Sequence, residues 1–394
     1  MKKNKCSFCN IKESEEVQIV NGIEVGICLS CAEASIMLMS LDIKKNIAEL
    51  KPKKELTPKD YKKILDTYVI GQGDAKEVLS VAIYNHIKRI NNLELELDKS
   101  NILFIGPTGS GKTFLAETIA KHLDIPLAIV NTTSLTAAGY VGEDVSSVLE
   151  RLWKDAGEDV DRAEKGIIFL DEIDKNATSA GGTNNKDVSG KAVQQELLKI
   201  LEGDIVKIYP DGTKKNKKSG DGIEINTKDI LFIAGGAFVG LKDSPGVQIN
   251  SLNIKKKTDD GISNTKYQQY LDNFGLIPEF YGRFPNIVEL DELDISTIES
   301  ILTEPKNSIV SQYMGLFKLS NVEVEFTKRF LDIVAKEALE VKTGARGLRS
   351  IMENKLRNIM FNIDEYNNRT IIIDYKYNKV HIQEAQEVQE AQEA

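Results

Sequence analysis

The sequence predicts an α/β protein: a parallel sheet covered by helices, with a second, mostly helical domain after it and a small cysteine-rich module before it. Short apolar runs at 102–105, 127–130, 167–170 and 230–234 alternate with amphipathic segments at 112–122, 144–156 and 188–201. This alternation is typical of parallel strands joined by helices. From about residue 291 the pattern changes to helices, expected at 296–314, 327–340 and 346–360, with short strands at 370–373 and 380–382.

The four cysteines of the chain all lie within its first 31 residues, as Cys6, Cys9, Cys28 and Cys31. Two CxxC pairs separated by eighteen residues are spaced as in a zinc ribbon, so the sequence predicts a structural Zn²⁺ site of four thiolates. Two disulfides are the alternative, which a cytosolic location disfavours. A module of about forty residues has too small a core to fold unaided, and metal binding could supply roughly 10–16 kcal/mol.

Five segments are expected along the chain. Residues 1–41 form the cysteine module, and residues 42–60, rich in lysine and proline, form a flexible linker. The large α/β domain occupies 61–290 and the small domain 291–382. The last residues, 383–394, repeat a three-residue acidic unit that fits neither a helix nor a strand and predict a mobile tail.

Composition limits the class of protein. The 394 residues carry a net charge of −9, which argues against a general nucleic-acid binder. No apolar stretch approaches the ~20 residues that a membrane span needs. The basic N-terminus is not followed by the apolar core of a secretory signal. We therefore expect a cytoplasmic protein.

A phosphate-binding loop follows the first strand of the sheet. Residues 106–113 read Gly-Pro-Thr-Gly-Ser-Gly-Lys-Thr and open into a helical pattern, as in the P-loop of nucleotide hydrolases. Backbone N–H groups of such a loop turn toward phosphate oxygens, the lysine reaches the β- and γ-phosphates, and the threonine hydroxyl ligates Mg²⁺. The predicted ATP contacts are Gly106, Pro107, Thr108, Gly109, Ser110, Gly111, Lys112, Thr113 and Phe114.

The apolar run 166–170 is followed by two carboxylates of the kind that a nucleotide hydrolase needs in addition to its P-loop. Asp171 is placed to hold Mg²⁺ and Glu172 to activate the attacking water as general base. An acidic turn that only solvates the strand end is the alternative. The glutamate beside the metal carboxylate also argues against a small-molecule kinase, which must keep water out.

Further motifs follow in a set order. Segment 66–72 reads Asp-Thr-Tyr-Val-Ile-Gly-Gln, 139–144 reads Gly-Tyr-Val-Gly-Glu-Asp, 276–285 reads Leu-Ile-Pro-Glu-Phe-Tyr-Gly-Arg-Phe-Pro, and 343–350 reads Thr-Gly-Ala-Arg-Gly-Leu-Arg-Ser. With the P-loop and the cysteine module, they resemble the ClpX family of hexameric AAA+ protein unfoldases over most of the chain.

The resemblance implies roles for individual residues. Val69, Ile70 and Leu293 would pack around the adenine. Arg283 would reach the nucleotide of a neighbouring subunit and Arg346 that of its own chain. Tyr140 and Val141 would line a central pore and grip an extended polypeptide. Taken alone, either arginine fits a surface ion pair better. The three apolar residues are also consistent with core packing, and Tyr140 is equally consistent with a buried turn.

Two segments depart from the family pattern. Where relatives have an Arg-Lys-His loop at the pore entrance, residues 211–219 are lysine-rich, which could still attract acidic substrate ends. Relatives that feed the ClpP peptidase carry an Ile-Gly-Phe-type docking loop, and the interval 247–255 holds no such tripeptide.

The motifs predict an ATP hydrolase with ATP, Mg²⁺ and Zn²⁺ as cofactors, and the resemblance implies that it is an ATP-driven protein unfoldase. Expected partners are five further copies of the chain, unfolded or tagged protein substrates, adaptors at the cysteine module and, if docking occurs, a ClpP-type peptidase. A stand-alone remodelling chaperone, a DNA-acting ATPase and a nucleotide-gated scaffold remain as alternatives.

Overall fold

A computed structural model describes residues 5–14, 17–21, 25–35, 56–92, 97–136, 143–177, 185–209, 222–239, 265–341, 344–376 and 379–384. The chain forms two units, Met1–Leu56 and Thr57–Ala394. Five predicted features lie outside the described residues: Tyr140 and Val141, linker residues 42–55, the lysine-rich segment 211–219, the interval 247–255 and the tail from 385 onward. None of the described helices is long and apolar enough to cross a bilayer.

The strands and helices are numbered in chain order. The strands are β1 (Ile19–Asn21), β2 (Gly26–Cys28), β3 (Ile102–Ile105), β4 (Leu127–Asn131), β5 (Leu135–Thr136), β6 (Glu143–Asp144), β7 (Ile167–Asp171), β8 (Ile205–Ile208), β9 (Ile223–Asn226), β10 (Leu231–Gly236), β11 (Asn286–Glu289), β12 (Glu323–Phe326), β13 (Thr370–Lys376) and β14 (Lys379–Glu384). The helices are α1 (described over 29–35), α2 (Pro58–Tyr68), α3 (Gly73–Asn91), α4 (Lys112–Leu123), α5 (Ser146–Asp155), α6 (Val160–Ala163), α7 (Asn185–Glu202), α8 (Thr265–Phe274), α9 (Pro278–Tyr281), α10 (Ile295–Thr303), α11 (Ile309–Leu319), α12 (Lys328–Glu340) and α13 (Leu348–Phe361).

The first unit is a hairpin with a short helix. Strands β1 and β2 pair antiparallel, with Ile19 opposite Cys28, and α1 follows directly. Among the described residues its buried apolar core is only Cys6, Ile19 and Cys28. So small a core cannot offset the entropy of ordering the chain, and the module needs a further source of stability.

The second unit is built on a five-stranded sheet in the order β11-β3-β10-β7-β4, in which every pairing is parallel. Strands β3, β7 and β10 are buried along almost their whole length because apolar clusters pack on both faces of the sheet. One face carries α2, α3 and α4, and the other carries α5, α7 and α9. The mostly parallel α/β architecture is therefore confirmed.

Four of the five strands are predicted from their apolar runs, and β11 is missed. It is an edge strand of four residues with Asn286 and Glu289 at its ends, so no apolar run marks it. Its pairing with β3 brings the chain to the P-loop just before it enters the helical region.

The C-terminal region, from residue 290 onward, packs helices α10–α13 against a small sheet in the order β12-β13-β14. The prediction of one helix over 296–314 is wrong: the structure has α10 and α11, with a break at 304–308. Pro305 disfavours a helical residue before it and has no N–H of its own. Ser308 then caps α11 by accepting a hydrogen bond from Ser311 N–H at 3.2 Å.

The linker expected over 42–60 also extends too far. Helix α2 begins at Pro58, and the carboxylate of Asp60 accepts hydrogen bonds from the Thr57 backbone N–H at 3.0 Å and hydroxyl at 2.7 Å. Proline is favourable at the first helical position because its missing N–H has no helical partner there. Pro58 therefore starts a helix rather than continuing the linker.

Candidate functional site

The P-loop, residues 106–113, connects β3 to α4 as predicted. Gly109 and Gly111 have φ of +80° and +100°, a conformation that favours glycine. Gly106 is required for a different reason: a Cβ there would meet Leu290 Cβ at 3.0 Å and Leu290 O at 3.1 Å. The loop is thus held against the chain that leaves β11.

Lys112 at the start of α4 is almost buried beneath this loop. Its Nζ donates hydrogen bonds to the carbonyls of Gly106 at 2.6 Å and Pro107 at 2.9 Å. Burial lowers the pKa of Lys112 to about 8, and the nearby Asp171 carboxylate opposes this shift. A phosphate would supply the missing negative charge, so the site electrostatically favours an anion.

The carboxylates of the second strand lie beside the loop. Thr113 Oγ1 donates to Asp171 Oδ2 at 3.1 Å, so the two predicted Mg²⁺ ligands are brought together. The Glu172 N–H donates to Asp171 Oδ1 at 3.0 Å. Glu172 is a half-buried non-glycine residue with φ of +57°. Backbone held in this unfavourable region is concentrated at functional sites.

A cleft of about 540 Å³ lies between the P-loop and the C-terminal helices. Val69, Ile70 and Leu293, predicted to surround an adenine, all line it, as does Phe114. The C-terminal region contacts the P-loop directly, because a Cβ at Gly344 would lie 3.2 Å from Gly109. One wall of the cleft is therefore formed by residues that precede 290–294 in the chain, and the other by the C-terminal region that follows.

The two predicted arginines are placed differently. Arg346 reaches the cleft, with Nη2 at 3.6 Å from Asp171 Oδ2 and 3.5 Å from Thr113 Oγ1. Arg283 does not line this cleft; its guanidinium forms an ion pair with Glu202 at the end of α7, and both side chains are about half exposed. Asn101 Nδ2 donates to the Arg283 carbonyl at 2.9 Å and fixes the backbone there.

The cleft fits a nucleotide on chemical grounds. Ser110 Oγ is buried in the P-loop and has no hydrogen-bond partner among the described residues. A buried hydroxyl without a partner is costly unless a ligand satisfies it. The ammonium of Lys112 and the apolar side chains of Val69, Ile70 and Leu293 line the same cleft. Together with the Ser110 hydroxyl, they match a ligand that carries both a phosphate and a flat apolar group.

Sequence reasoning missed several residues that line the cleft: Tyr68, Glu117, Ile301, Pro305, Asn307, Ser308, Ile309, Gln312, Ala345 and Arg349. Arg349 could have been found, because it follows Arg346 by three residues and such neighbours share a helix face. Ile301 and Ile309 could not, since they read as ordinary core positions of a single long helix.

The four cysteines of the first unit converge. Their sulfur atoms all lie within 4.8 Å of one another. Burial alone would raise the pKa of Cys6. Hydrogen bonds from backbone N–H groups have the larger combined effect and lower this pKa to about 6. The N–H groups of Phe8 and Cys28 each donate to the Cys6 sulfur at 3.4 Å. Side-chain contacts with Cys9 and Cys28 raise the pKa of Cys31 to about 12. Crowded sulfurs of this kind fit a thiophilic cation, which would relieve their mutual repulsion.

Comparison with known proteins agrees with both regions. A family model described as AAA domain (Cdc48 subfamily) matches residues 97–287, and one described as the C-terminal, D2-small domain of ClpB protein matches residues 293–363. A relative from Borrelia duttonii (strain Ly), named ATP-dependent Clp protease ATP-binding subunit ClpX, is 47% identical over 372 residues, covering 91% of this chain and 86% of the relative.

The chain belongs to the ClpX family. Two further relatives with the same name come from Porphyromonas gingivalis (strain ATCC BAA-308 / W83), 42% identical over 394 residues and 96% of both chains, and from Bacteroides thetaiotaomicron, 42% identical over 406 residues and 97% of both chains. The AAA+ fold predicted from the motifs is confirmed, and the chain is an ATP hydrolase.

Proposed function

We propose that this ClpX-family ATPase is a protein unfoldase that acts as a ring, a hexamer in the arrangement that its resemblance implies. The observation that carries the proposal is the meeting of Arg346 with Asp171 and Thr113 across the cleft. A nucleotide bound there would contact both walls, so its hydrolysis would change the angle between them. Such a change can be used as mechanical work on a threaded polypeptide.

The side chains predicted for the cleft divide the tasks of hydrolysis among them. Lys112 would hold the β- and γ-phosphates, and Thr113 and Asp171 would hold Mg²⁺. When bound there, Mg²⁺ would supply positive charge to balance the negative charge of the phosphate oxygens. Glu172 accepts the proton of the water whose oxygen attacks the γ-phosphorus, while the bond to the bridging oxygen of the departing diphosphate breaks. Val69, Ile70 and Leu293 hold the adenine by apolar contact.

The arginines complete the site from two chains. Arg346 acts in its own chain, because its guanidinium already lies at the carboxylate that would hold the metal. Arg283 acts on the nucleotide of a neighbouring copy. In support, its half-exposed side chain lies beside Glu202 at the end of α7, it does not line the cleft of its own chain, and its backbone is fixed by Asn101.

Substrate would be gripped by Tyr140 and Val141, which the resemblance to the ClpX family assigns to the pore of the ring. An aromatic and a branched side chain can hold a polypeptide of any sequence, whereas hydrogen-bond readout would be selective. The first unit would bind Zn²⁺ through its four cysteines and recruit adaptors or substrates. All four positions of a tetrahedral ion would be filled by protein, so this zinc would be structural.

Delivery to a ClpP-type peptidase is the finer question. The relatives are named as ATP-binding subunits of the Clp protease, which favours a peptidase partner for this chain. The sequence 247–255 without the expected tripeptide favours a stand-alone remodeller. Incubation of the chain with a cognate ClpP, ATP and a folded fluorescent substrate distinguishes them: degradation supports docking, and unfolding without degradation supports the stand-alone chaperone.

A DNA-acting ATPase is tested by stimulation of turnover. ATP hydrolysis is measured alone, with an unfolded protein and with single- or double-stranded DNA. An unfoldase is stimulated by the protein and unaffected by DNA, while the reverse result would reject the proposal. Glu172→Gln, assayed alongside, shows that the measured turnover belongs to this site.

A further inference from the structure

Gln72 lies where the P-loop meets the chain segment that joins the two walls of the cleft. That segment, residues 290–294, is called the hinge here: β11 ends at Glu289, α10 begins at Ile295, and the two family matches end at 287 and begin at 293. Gln72 precedes α3 and is 4% exposed. Gln72 does not line the nucleotide cleft, so contact with the nucleotide does not explain why its side chain is buried there.

The side chain of Gln72 uses both ends of its amide. Its Oε1 accepts a hydrogen bond from the Asp291 N–H at 2.9 Å, and its Nε2 donates to the Asp291 carbonyl at 3.0 Å. The Nε2 also donates to the carbonyl of Ser110 in the P-loop at 3.3 Å. One buried amide therefore binds both backbone polar groups of a hinge residue and one carbonyl of the phosphate loop.

The backbone around Gln72 is held in an unfavourable conformation. Gly71 has φ of +65° and Gln72 has φ of +55°, which is uncommon for a residue with a Cβ. A Cβ at Gly71 would come within 4.0 Å of Thr297 Cγ2 in α10, so this turn also faces the C-terminal helices. Strained backbone persists only where the surroundings fix it, and here they are the hinge and the P-loop.

We propose that Gln72 is a positioning residue that couples the P-loop to the hinge. Phosphate binding draws the N–H groups of the loop toward the ligand and so moves the Ser110 carbonyl. Because the Gln72 amide is hydrogen-bonded to this carbonyl and to Asp291, it transmits the movement to the hinge. Leu290 reinforces the same path, because its N–H donates to the Ile105 carbonyl at 2.7 Å at the start of the loop. The inference deepens the proposed function, since the hinge is the part that would move during unfolding.

The chain provides a matched control in Gln194 of α7. It is fully buried, its Nε2 donates to the carbonyls of Asn176 at 2.8 Å and Gly275 at 3.5 Å, and its Oε1 accepts from the Ile277 N–H at 2.9 Å. The pattern of two carbonyls and one N–H is the same as at Gln72, but Gln194 does not line the nucleotide cleft. Substitution there reports the cost of losing a buried amide without the coupling.

The test is hydrogen exchange of the full chain at saturating ADP and without ADP, following peptides that contain the hinge. In the unaltered protein we expect ADP to slow exchange at the hinge by about fivefold or more, the effect of one strengthened hydrogen bond. In Gln72→Glu, whose carboxylate would face two carbonyls, we expect this ADP effect to disappear although ADP still binds. In Gln194→Glu we expect it to remain.

Each other outcome overturns the coupling. An ADP effect that persists in Gln72→Glu, or that is lost equally in Gln194→Glu, makes Gln72 merely structural. If Gln72→Glu does not fold, Gln72→Met, which keeps the length and removes the polar atoms, takes its place. The unaltered chain alone can also overturn the proposal. If hydrogen exchange at the hinge is equally fast with and without ADP, the hinge is not coupled to the P-loop. Since these measurements need only nucleotide binding, they can succeed even if the chain fails to unfold protein.

Discussion

Arg346 Nη2 and Asp171 Oδ2 lie 3.6 Å apart, although one residue belongs to the C-terminal region and the other ends a central strand of the sheet. The same guanidinium nitrogen is 3.5 Å from Thr113 Oγ1. A cation from the second wall of the cleft thus stands beside the carboxylate and hydroxyl proposed to hold Mg²⁺. We therefore expect the nucleotide site to respond to the position of the C-terminal region.

Arg346→Ala should lower kcat for ATP hydrolysis by about 10²-fold, because a preorganised positive group is removed from the γ-phosphate. Steady-state hydrolysis at saturating ATP measures this. Arg357→Ala is the control, since Arg357 lies on α13 and contacts Asn354 outside the cleft. Equal activity of Arg346→Ala and the control would remove Arg346 from the reaction.

Glu172→Gln should lower kcat by about 10²–10⁴-fold and leave nucleotide affinity unchanged, because only the proton acceptor is lost. Binding of a fluorescent ATP analogue and steady-state hydrolysis separate the two effects. Glu150→Gln on α5, where the carboxylate pairs with Lys154, controls for loss of a negative charge. Hydrolysis at the normal rate in Glu172→Gln would mean that another group activates the water.

Mixing two inactive variants tests whether Arg283 acts on a neighbour. Glu172→Gln and Arg283→Ala should each be inactive alone. In an equal mixture, about a quarter of the contacts between subunits should join an intact cleft to an intact Arg283, so activity should reappear. If the mixture stays inactive while the variants still assemble together, Arg283 does not act across the interface.

Metal removal should unfold only the first unit. The three buried core residues that the structure describes in this unit cannot stabilise it, whereas the second unit has apolar clusters on both faces of its sheet. A strong zinc chelator should therefore remove exchange protection over residues 5–35 and leave the thermal midpoint of the second unit unchanged. Protection that survives verified loss of metal would show that the four cysteines do not hold the module together.

The sequence reveals the chemistry of the site better than its mechanics. Lys112, Thr113 and Asp171 are predictable because each motif lies at the end of a buried apolar strand, and the structure joins Thr113 to Asp171 as expected. Gln72 is not, because its three hydrogen bonds reach residues that are distant in sequence and no local pattern indicates them. The break at Pro305 is missed because helical spacing continues across it.

His86 should make stability depend on pH. It is fully buried on α3, and its Nε2 lies 3.0 Å from the Lys165 carbonyl. Burial lowers the pKa of His86 from 6.5 to about 4. Between these two pH values the unfolded chain binds a proton at His86 that the folded chain does not. The destabilising contribution of His86 is therefore absent above pH 6.5 and grows as the pH falls toward 4.

The contribution of His86 to the pH dependence of stability can be measured. The free energy of unfolding should fall by up to about 3 kcal/mol from this residue between pH 6.5 and pH 4. Urea unfolding of the unaltered protein and of His86→Gln across this range isolates the contribution, because the variant lacks the titrating ring. Identical pH dependence of the two proteins would contradict the buried, neutral state of His86.

Conversion of ATP hydrolysis into unfolding is tested most directly with a stable fluorescent protein that carries an unstructured tail, with no peptidase present. The unaltered chain with ATP should abolish the fluorescence, while Glu172→Gln, with ATP bound, and Tyr140→Ala, with hydrolysis intact, should leave it unchanged. Fluorescence that persists with the unaltered chain while ATP is consumed, or that Tyr140→Ala abolishes just as fast, would contradict the account.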